Sequence, residues 1–195
     1  MRILKYKLFK ESALLKLSNN TDMELISKIE SLISPPSKIL EISCGNCADS
    51  IRLKNLGYRV KCTDNNQEYV NNAIRNNIDC INHETSMLFP FKNKSFNLIY
   101  SRLGLHYFSN DKLVEIFKEI SRIGDYLVFT VKLVNDIQTG KVILTKEKWL
   151  ELVSIDFNII SNEEKTGILY DNQSNWLEIV AKSKDDKKWL LGNNI

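Results

Sequence analysis

The segment Ile39-Leu40-Glu41-Ile42-Ser43-Cys44-Gly45-Asn46-Cys47-Ala48-Asp49 decides the fold, because a short apolar run passes through small residues straight into a helical stretch. Lys38 to Ser43 reads as a buried strand, the next residues as a turn, and Ala48 to Leu56 as a helix closed by Gly57 in a left-handed cap. Small residues in such a turn let main-chain N–H groups face a ligand, and the helix N-terminus lends partial positive charge to an anionic group such as a carboxylate. Nineteen residues after Gly45, Asp64 ends a second strand, Tyr58 to Thr63, where its carboxylate is placed to accept from both hydroxyls of a ribose.

The same alternation continues outward. Tyr69, Val70, Ala73 and Ile74 mark a helix running to about Asn77; Phe96 to Ser101 is a strongly apolar strand; Ser109 to Gly124 is a helix with Leu113, Ile116, Phe117, Ile120 and Ile123 on one face. Tyr126 to Lys132 gives a fifth strand, and a helix around Lys146 to Val153 precedes two β-rich segments, Phe157 to Ser161 and Trp176 to Lys182, expected to pair as an antiparallel hairpin at the sheet edge. Strands alternating with helices predict an α/β, Rossmann-like three-layer sandwich: a mostly parallel seven-stranded sheet with an antiparallel last strand. Ligands in that architecture bind beyond the carboxyl ends of the strands.

Upstream, Thr21 and Glu24 form a capping box ahead of Leu25, Ile29, Leu32 and Ile33, and Pro35-Pro36 stops that helix. Tyr6, Phe9, Ala13, Leu14 and Leu17 recur at helical spacing and predict a further amphipathic helix. The expected organisation is one domain over 1–195, with 1–36 as a helical lid or flank, 37–133 as the cofactor-binding core and 134–195 as a substrate-side insert and edge strands.

With 195 residues, 43% of them hydrophobic, the chain suits one core. Its 27 basic against 24 acidic residues leave a net charge of only +3, which does not point to nucleic acid. Met1 to Ser18 holds five basic residues and one acidic but no unbroken apolar run, so the expectation is a cytoplasmic monomer or homodimer without stable membrane insertion. Cys44, Cys47, Cys62 and Cys80 are then expected to be reduced thiols.

The turn, Asp64, the segment Glu84-Thr85-Ser86-Met87-Leu88-Phe89-Pro90-Phe91, the run Ser95-Phe96-Asn97 to Leu105-His106-Tyr107, and the closing Trp176 to Lys182 together resemble the class I S-adenosylmethionine-dependent methyltransferases. That family carries an acidic residue and then a Gly-x-Gly-x-Gly turn after its first strand; here Glu41, Ser43, Gly45 and Cys47 occupy those places, and Asn97 replaces the usual Asp. The resemblance implies S-adenosylmethionine as cofactor, held by Glu41, Ser43, Gly45, Cys47, Asp64, Asn65, Glu84, Thr85, Ser101, Arg102 and Leu103. It implies His106 and Tyr107 as candidate catalytic residues and methyl transfer to a small-molecule acceptor, with the segment before the first strand as a lid. A tRNA or protein acceptor and a degenerate, non-catalytic relative are the alternatives.

Plainer readings stand beside these. If Ser43 or Cys47 requires positive φ, each costs on the order of 1 kcal/mol. Asp64 could cap the following helix, Glu84 could be a loop acid, and His106 is as readily structural as catalytic. Cys44-x-x-Cys47 also fits a redox pair or half a zinc site, but Cys62, Cys80, His83 and His106 show no matching ligand spacing, so no metal is expected.

Overall fold

The structure, a computed structural model, describes residues 25–133, 144–169 and 172–184. The predicted amphipathic helix before residue 19, the capping box at Thr21 and Glu24, and most of the insert after Val134 lie outside the described residues. A helix over residues 25–32 (α1) leads into β1 (Lys38–Ile42), followed by α2 (Ala48–Asn55), β2 (Arg59–Asp64), α3 (Gln67–Arg75) and β3 (Asp79–Asn82). Then come β4 (Phe96–Arg102), a 3-10 turn at Leu105–Tyr107, α4 (Asn110–Ile123), β5 (Gly124–Lys132), α5 (Lys146–Asp156), β6 (Phe157–Leu169) and β7 (Asn172–Ser183).

The seven strands form one sheet in the order β3-β2-β1-β4-β5-β7-β6. Neighbours among β1 to β5 pair parallel, while β7 pairs antiparallel with both β5 and β6, so the expected terminal hairpin and antiparallel last strand are both present. The hairpin strands outrun their apolar stretches, because Asn162, Glu163, Glu164 and Lys165 extend the ladder beyond the core. The strand order reverses between β1 and β4, and this switch point puts the ends of β1, β2 and β4 around one crevice.

Residue parity along the strands sorts the core into two layers. Leu40, Ile42 and Ile99 pack with Leu113, Phe117 and Ile120 of α4 and Trp149 of α5, whereas Ile39, Leu98 and Tyr100 pack with Leu25, Ile26 and Ile29 of α1 and Leu53 of α2. α1 is also pinned by charge: Lys28 Nζ lies 2.7 Å from Glu178, which is buried on β7, and 2.9 Å from Glu163 on β6. On α3, Val70 and Ala73 face inward, but Tyr69 and Ile74 are 42% and 54% exposed, so only half of that predicted apolar stripe is core. Gly57 has φ +93°, the left-handed cap expected after α2. No helix among the described residues is long and apolar enough to cross a membrane.

Trp149 joins the carboxyl-terminal third to the rest: its ring centroid lies 6.1 Å from Phe129 and 6.5 Å from Phe117, and it is fully buried. Trp149→Ala should therefore cost about 3–5 kcal/mol in urea unfolding. A loss under about 1 kcal/mol would show that α5 is not part of the common core.

Candidate functional site

The turn after β1 is left-handed at alternate residues, with φ +55° at Ser43, +54° at Gly45 and +57° at Cys47. Two of these three positions, Ser43 and Cys47, adopt left-handed geometry without being glycine, at a strain on the order of 1 kcal/mol each. Local contacts hold it: the Cys47 side chain is buried with Val70 and Ala73, and the Ser43 and Thr85 hydroxyls are hydrogen-bonded at 3.2 Å. The Cys47 thiol makes no capping hydrogen bond to α2 but accepts from the Asn72 amide at 3.9 Å, so strain relief in a Cys47→Gly variant would be opposed by loss of a buried thiol.

A cleft of about 390 Å³ opens over this turn. Ser43 and Gly45 form one wall, Asp64 and Asn65 from the end of β2 a second, Glu84 and Thr85 a third, and Leu103, Gly104, Tyr107 and Phe108 after β4 a fourth, with Tyr69 of α3 at the rim. Asp64 organises it. Its Oδ2 accepts from the Gly45 N–H at 2.9 Å and its Oδ1 from the Asn66 N–H at 2.9 Å. The cap of α3 is Asn66, whose side chain accepts from the Glu68 N–H, so capping that helix is not the work of Asp64. Asn65 donates to Glu84 Oε2 at 2.8 Å, which ties the third wall to the second.

Of the residues singled out in the sequence, Ser43, Gly45, Asp64, Asn65, Glu84, Thr85, Leu103 and Tyr107 line this cleft. Glu41, Cys47, Ser101, Arg102 and His106 do not. Glu41 shares strand parity with Ile39, so it points towards α2, where the Ser50 hydroxyl donates to its Oε2. Burial, then the nearby Asp49 carboxylate, push the Glu41 pKa up to about 8, against the smaller opposing effects of Ser50 and Arg102. Arg102 lies 2.7 Å from Asp49, and the Tyr100 hydroxyl donates to the same carboxylate at 3.1 Å. Glu41, Ser50, Asp49, Tyr100 and Arg102 thus form a buried polar network beneath the turn. His106 is 1% exposed and its Nδ1 accepts from the Lys132 N–H at 3.4 Å, which favours its structural reading.

Tyr69, Gly104 and Phe108 also line the cleft and were not anticipated. Tyr69 was hidden in an apolar helical stripe. Gly104 is needed for close approach, since a Cβ there would lie 2.6 Å from the Ser43 Cβ. A larger cleft of about 570 Å³ lies between residues 85–89 and α4, but it sits away from the turn and shares only Thr85 with the first.

All four cysteines are free and buried. Hydrogen bonding to Cys62 and Cys80, followed by burial, pushes the Cys44 thiol far up, and burial raises Cys47 to about 11. A reactive Cys-x-x-Cys pair needs a lowered thiol pKa, so this one does not fit redox chemistry. The absence of metal-ligand spacing in the sequence misses what the fold does: the sheet gathers Cys44, Cys62 and Cys80.

Residues 39–124 match a family model described as a methyltransferase domain. Comparison with curated proteins gives no match. Among solved structures, a TehB-like S-adenosylmethionine-dependent methyltransferase from Corynebacterium glutamicum superposes with a TM-score of 0.72 at 17% identity, over 92% of this chain and 97% of that one. An S-adenosylmethionine-dependent methyltransferase from Methanosarcina mazei gives 0.70 at 18% identity, over 80% and 96%. Geranyl diphosphate C-methyltransferase from Streptomyces coelicolor, in complex with Mg2+, geranyl diphosphate and S-adenosyl-L-homocysteine, gives 0.72 at 10% identity, over 90% and 84%.

The buried Glu41 makes stability depend on pH. Its folded pKa of about 8 lies above the ordinary 4.5, so the folded state holds the proton more tightly than the unfolded chain. That contribution is fully present below about pH 4.5 and is lost as the pH rises through 8. Relative to the native chain, Glu41→Gln should gain stability on the order of 3 kcal/mol between pH 5 and pH 9 in denaturant titrations. Parallel stability curves for the two proteins would show that Glu41 does not titrate in this range.

Proposed function

On a chain with the class I S-adenosylmethionine-dependent methyltransferase fold, whose residues 39–124 match a methyltransferase domain, we propose that the cleft over the Ser43–Cys47 turn binds S-adenosylmethionine and that the chain methylates a small-molecule acceptor. The observation that supports this most is the Gly45 N–H donating at 2.9 Å to Asp64 at the switch point of the sheet, which sets a glycine turn and a carboxylate side by side.

The residues present fit that cofactor. A Cβ built on Gly45 meets nothing within 4 Å, so the turn faces open space, and the Ser101 hydroxyl is buried with no hydrogen-bond partner among the described residues, against Gly104. Asp64 would take the ribose hydroxyls, Glu84 with Asn65 and Thr85 the adenine end, and the turn and the start of α2 the amino-acid end. The bound cofactor supplies an already activated methyl group on its sulfonium. What remains for the chain is to orient the acceptor and exclude water, which needs few acid–base groups.

Tyr107, 58% exposed on the cleft, is placed to touch an acceptor. His106 is a positioning residue behind it, their rings 4.6 Å apart, and Glu41 and Arg102 support the turn from below. Four reduced thiols suit the cytoplasm.

S-adenosylhomocysteine should raise the melting temperature of the native protein and NAD should not, because a ligand of the folded state alone stabilises it. Silence from both would contradict the reading. Asp64→Ala should weaken S-adenosylhomocysteine by about 1.5–3 kcal/mol in calorimetry. Asp64→Asn, which keeps an acceptor for Gly45 but drops the charge, should lose much of the same affinity; unchanged binding in both would remove Asp64 from the cofactor site.

A further inference from the structure

Three cysteines far apart in sequence converge under the turn. Cys44 follows β1, Cys62 lies on β2 and Cys80 on β3, and their sulfur atoms all lie within 4.8 Å of one another. The backbone fixes this placement: the parallel register sets Cys62 directly opposite Cys80, and the Cys44 N–H donates to Thr63 O at 3.1 Å. Cys47, although in the same apolar cluster, is not one of the three. We propose that Cys44, Cys62 and Cys80 form a binding site for one trivalent thiophilic ion of the arsenite class, arsenic(III) or antimony(III).

Geometry narrows the ligand first. A trivalent ion of this class keeps a lone pair and binds three sulfurs as a pyramid; bonds of about 2.3 Å at angles of roughly 100° set the sulfurs roughly 3.5 Å apart, so closing the cluster onto the ion requires each sulfur to move by less than about an ångström. Among the described residues no His, Asp or Glu joins the group, so a tetrahedral zinc would lack a fourth protein ligand there. Soft sulfur-only donors select soft ions.

Charge narrows it further. The cluster is buried among Cys47, Val70, Ala73, Ile78 and the half-buried Ile51, and Lys61 on β2 is already 2.6 Å from Asp79. Three thiolates leave zinc(II) with a net charge of −1 and copper(I) with −2, which is costly in such surroundings. A trivalent ion makes three sulfur bonds and no net charge. Arsenous acid and three thiols exchange three As–O bonds for three As–S bonds, the thiol protons leaving with the hydroxides as three waters, with no change of oxidation state. Cys44 and Cys80 keep 7% and 8% exposure, which gives the reagent an approach. The site stands independently of the methyl-transfer reading.

The test uses the full reduced chain, anaerobically, with sodium arsenite as the probe and zinc chloride and a copper(I) complex as comparison arms. Intact mass should show one arsenic gained and three hydrogens lost, and reactive thiols in the denatured, arsenite-loaded chain should fall from the four free cysteines to one. X-ray absorption on the native chain should report three sulfur neighbours and no oxygen. Cys44→Ser, Cys62→Ser and Cys80→Ser should each weaken arsenite by about 100-fold, and Cys47→Ser should stay within about threefold. Two sulfurs, a fourth ligand, a requirement for Cys47, tighter zinc or copper binding, or a disulfide among the three would overturn the proposal. The X-ray absorption result on the native chain decides the matter even if a serine variant fails to fold.

Discussion

The hydrogen bond from the Gly45 N–H to the Asp64 carboxylate, 2.9 Å long, is the constraint on which the cleft depends. It fastens the turn after β1 to the end of β2, two strands already paired in parallel from Lys38 with Arg59 to Ile42 with Thr63. The second oxygen of the same carboxylate accepts from Asn66, the residue that caps α3. One side chain therefore sets the height of the turn, the end of β2 and the start of α3 together. Three left-handed residues in five would otherwise be a costly loop; tied down in this way, the turn keeps a glycine-rich shape with one glycine.

Beneath the turn, polar groups rather than apolar ones complete the support. Glu41 with Ser50, and Asp49 with Tyr100 and Arg102, join β1 and β4 to the first turn of α2. Asp49 is also well placed against the positive end of that helix. Networks of this kind are high-stakes, since a missing partner leaves a buried charge uncompensated. Gly104, just after β4, completes the arrangement, since any side chain there would collide with Ser43. Turn, network and close approach all sit at the point where strand order reverses.

Periodicity carried most of the fold. Ile39 to Ile42, Phe96 to Ser101 and the α4 stripe are apolar patterns strong enough to place themselves. β3, Asp79 to Asn82, has no such run and is held by pairing with β2, so no local signal placed it. Of the site, the cleft-facing Ser43, Gly45, Asp64 and Glu84 were legible through motif spacing. Glu41 was misleading because its motif position suggests a ligand contact, while its parity with Ile39 turns it towards α2; that parity was readable. The meeting of Cys44, Cys62 and Cys80 was not readable, because it arises from parallel register across three elements rather than from spacing along the chain.

The account rests on the cleft over the turn, rather than the larger one beside α4, being the cofactor site. The most direct measurement is amide hydrogen exchange in the free protein and with saturating S-adenosylhomocysteine, since a bound ligand slows local opening where it contacts the chain. Protection confined to residues 43–48, 64–66, 84–86 and 103–108 is the predicted result. Protection centred instead on residues 115–122 of α4, or none anywhere, would contradict it.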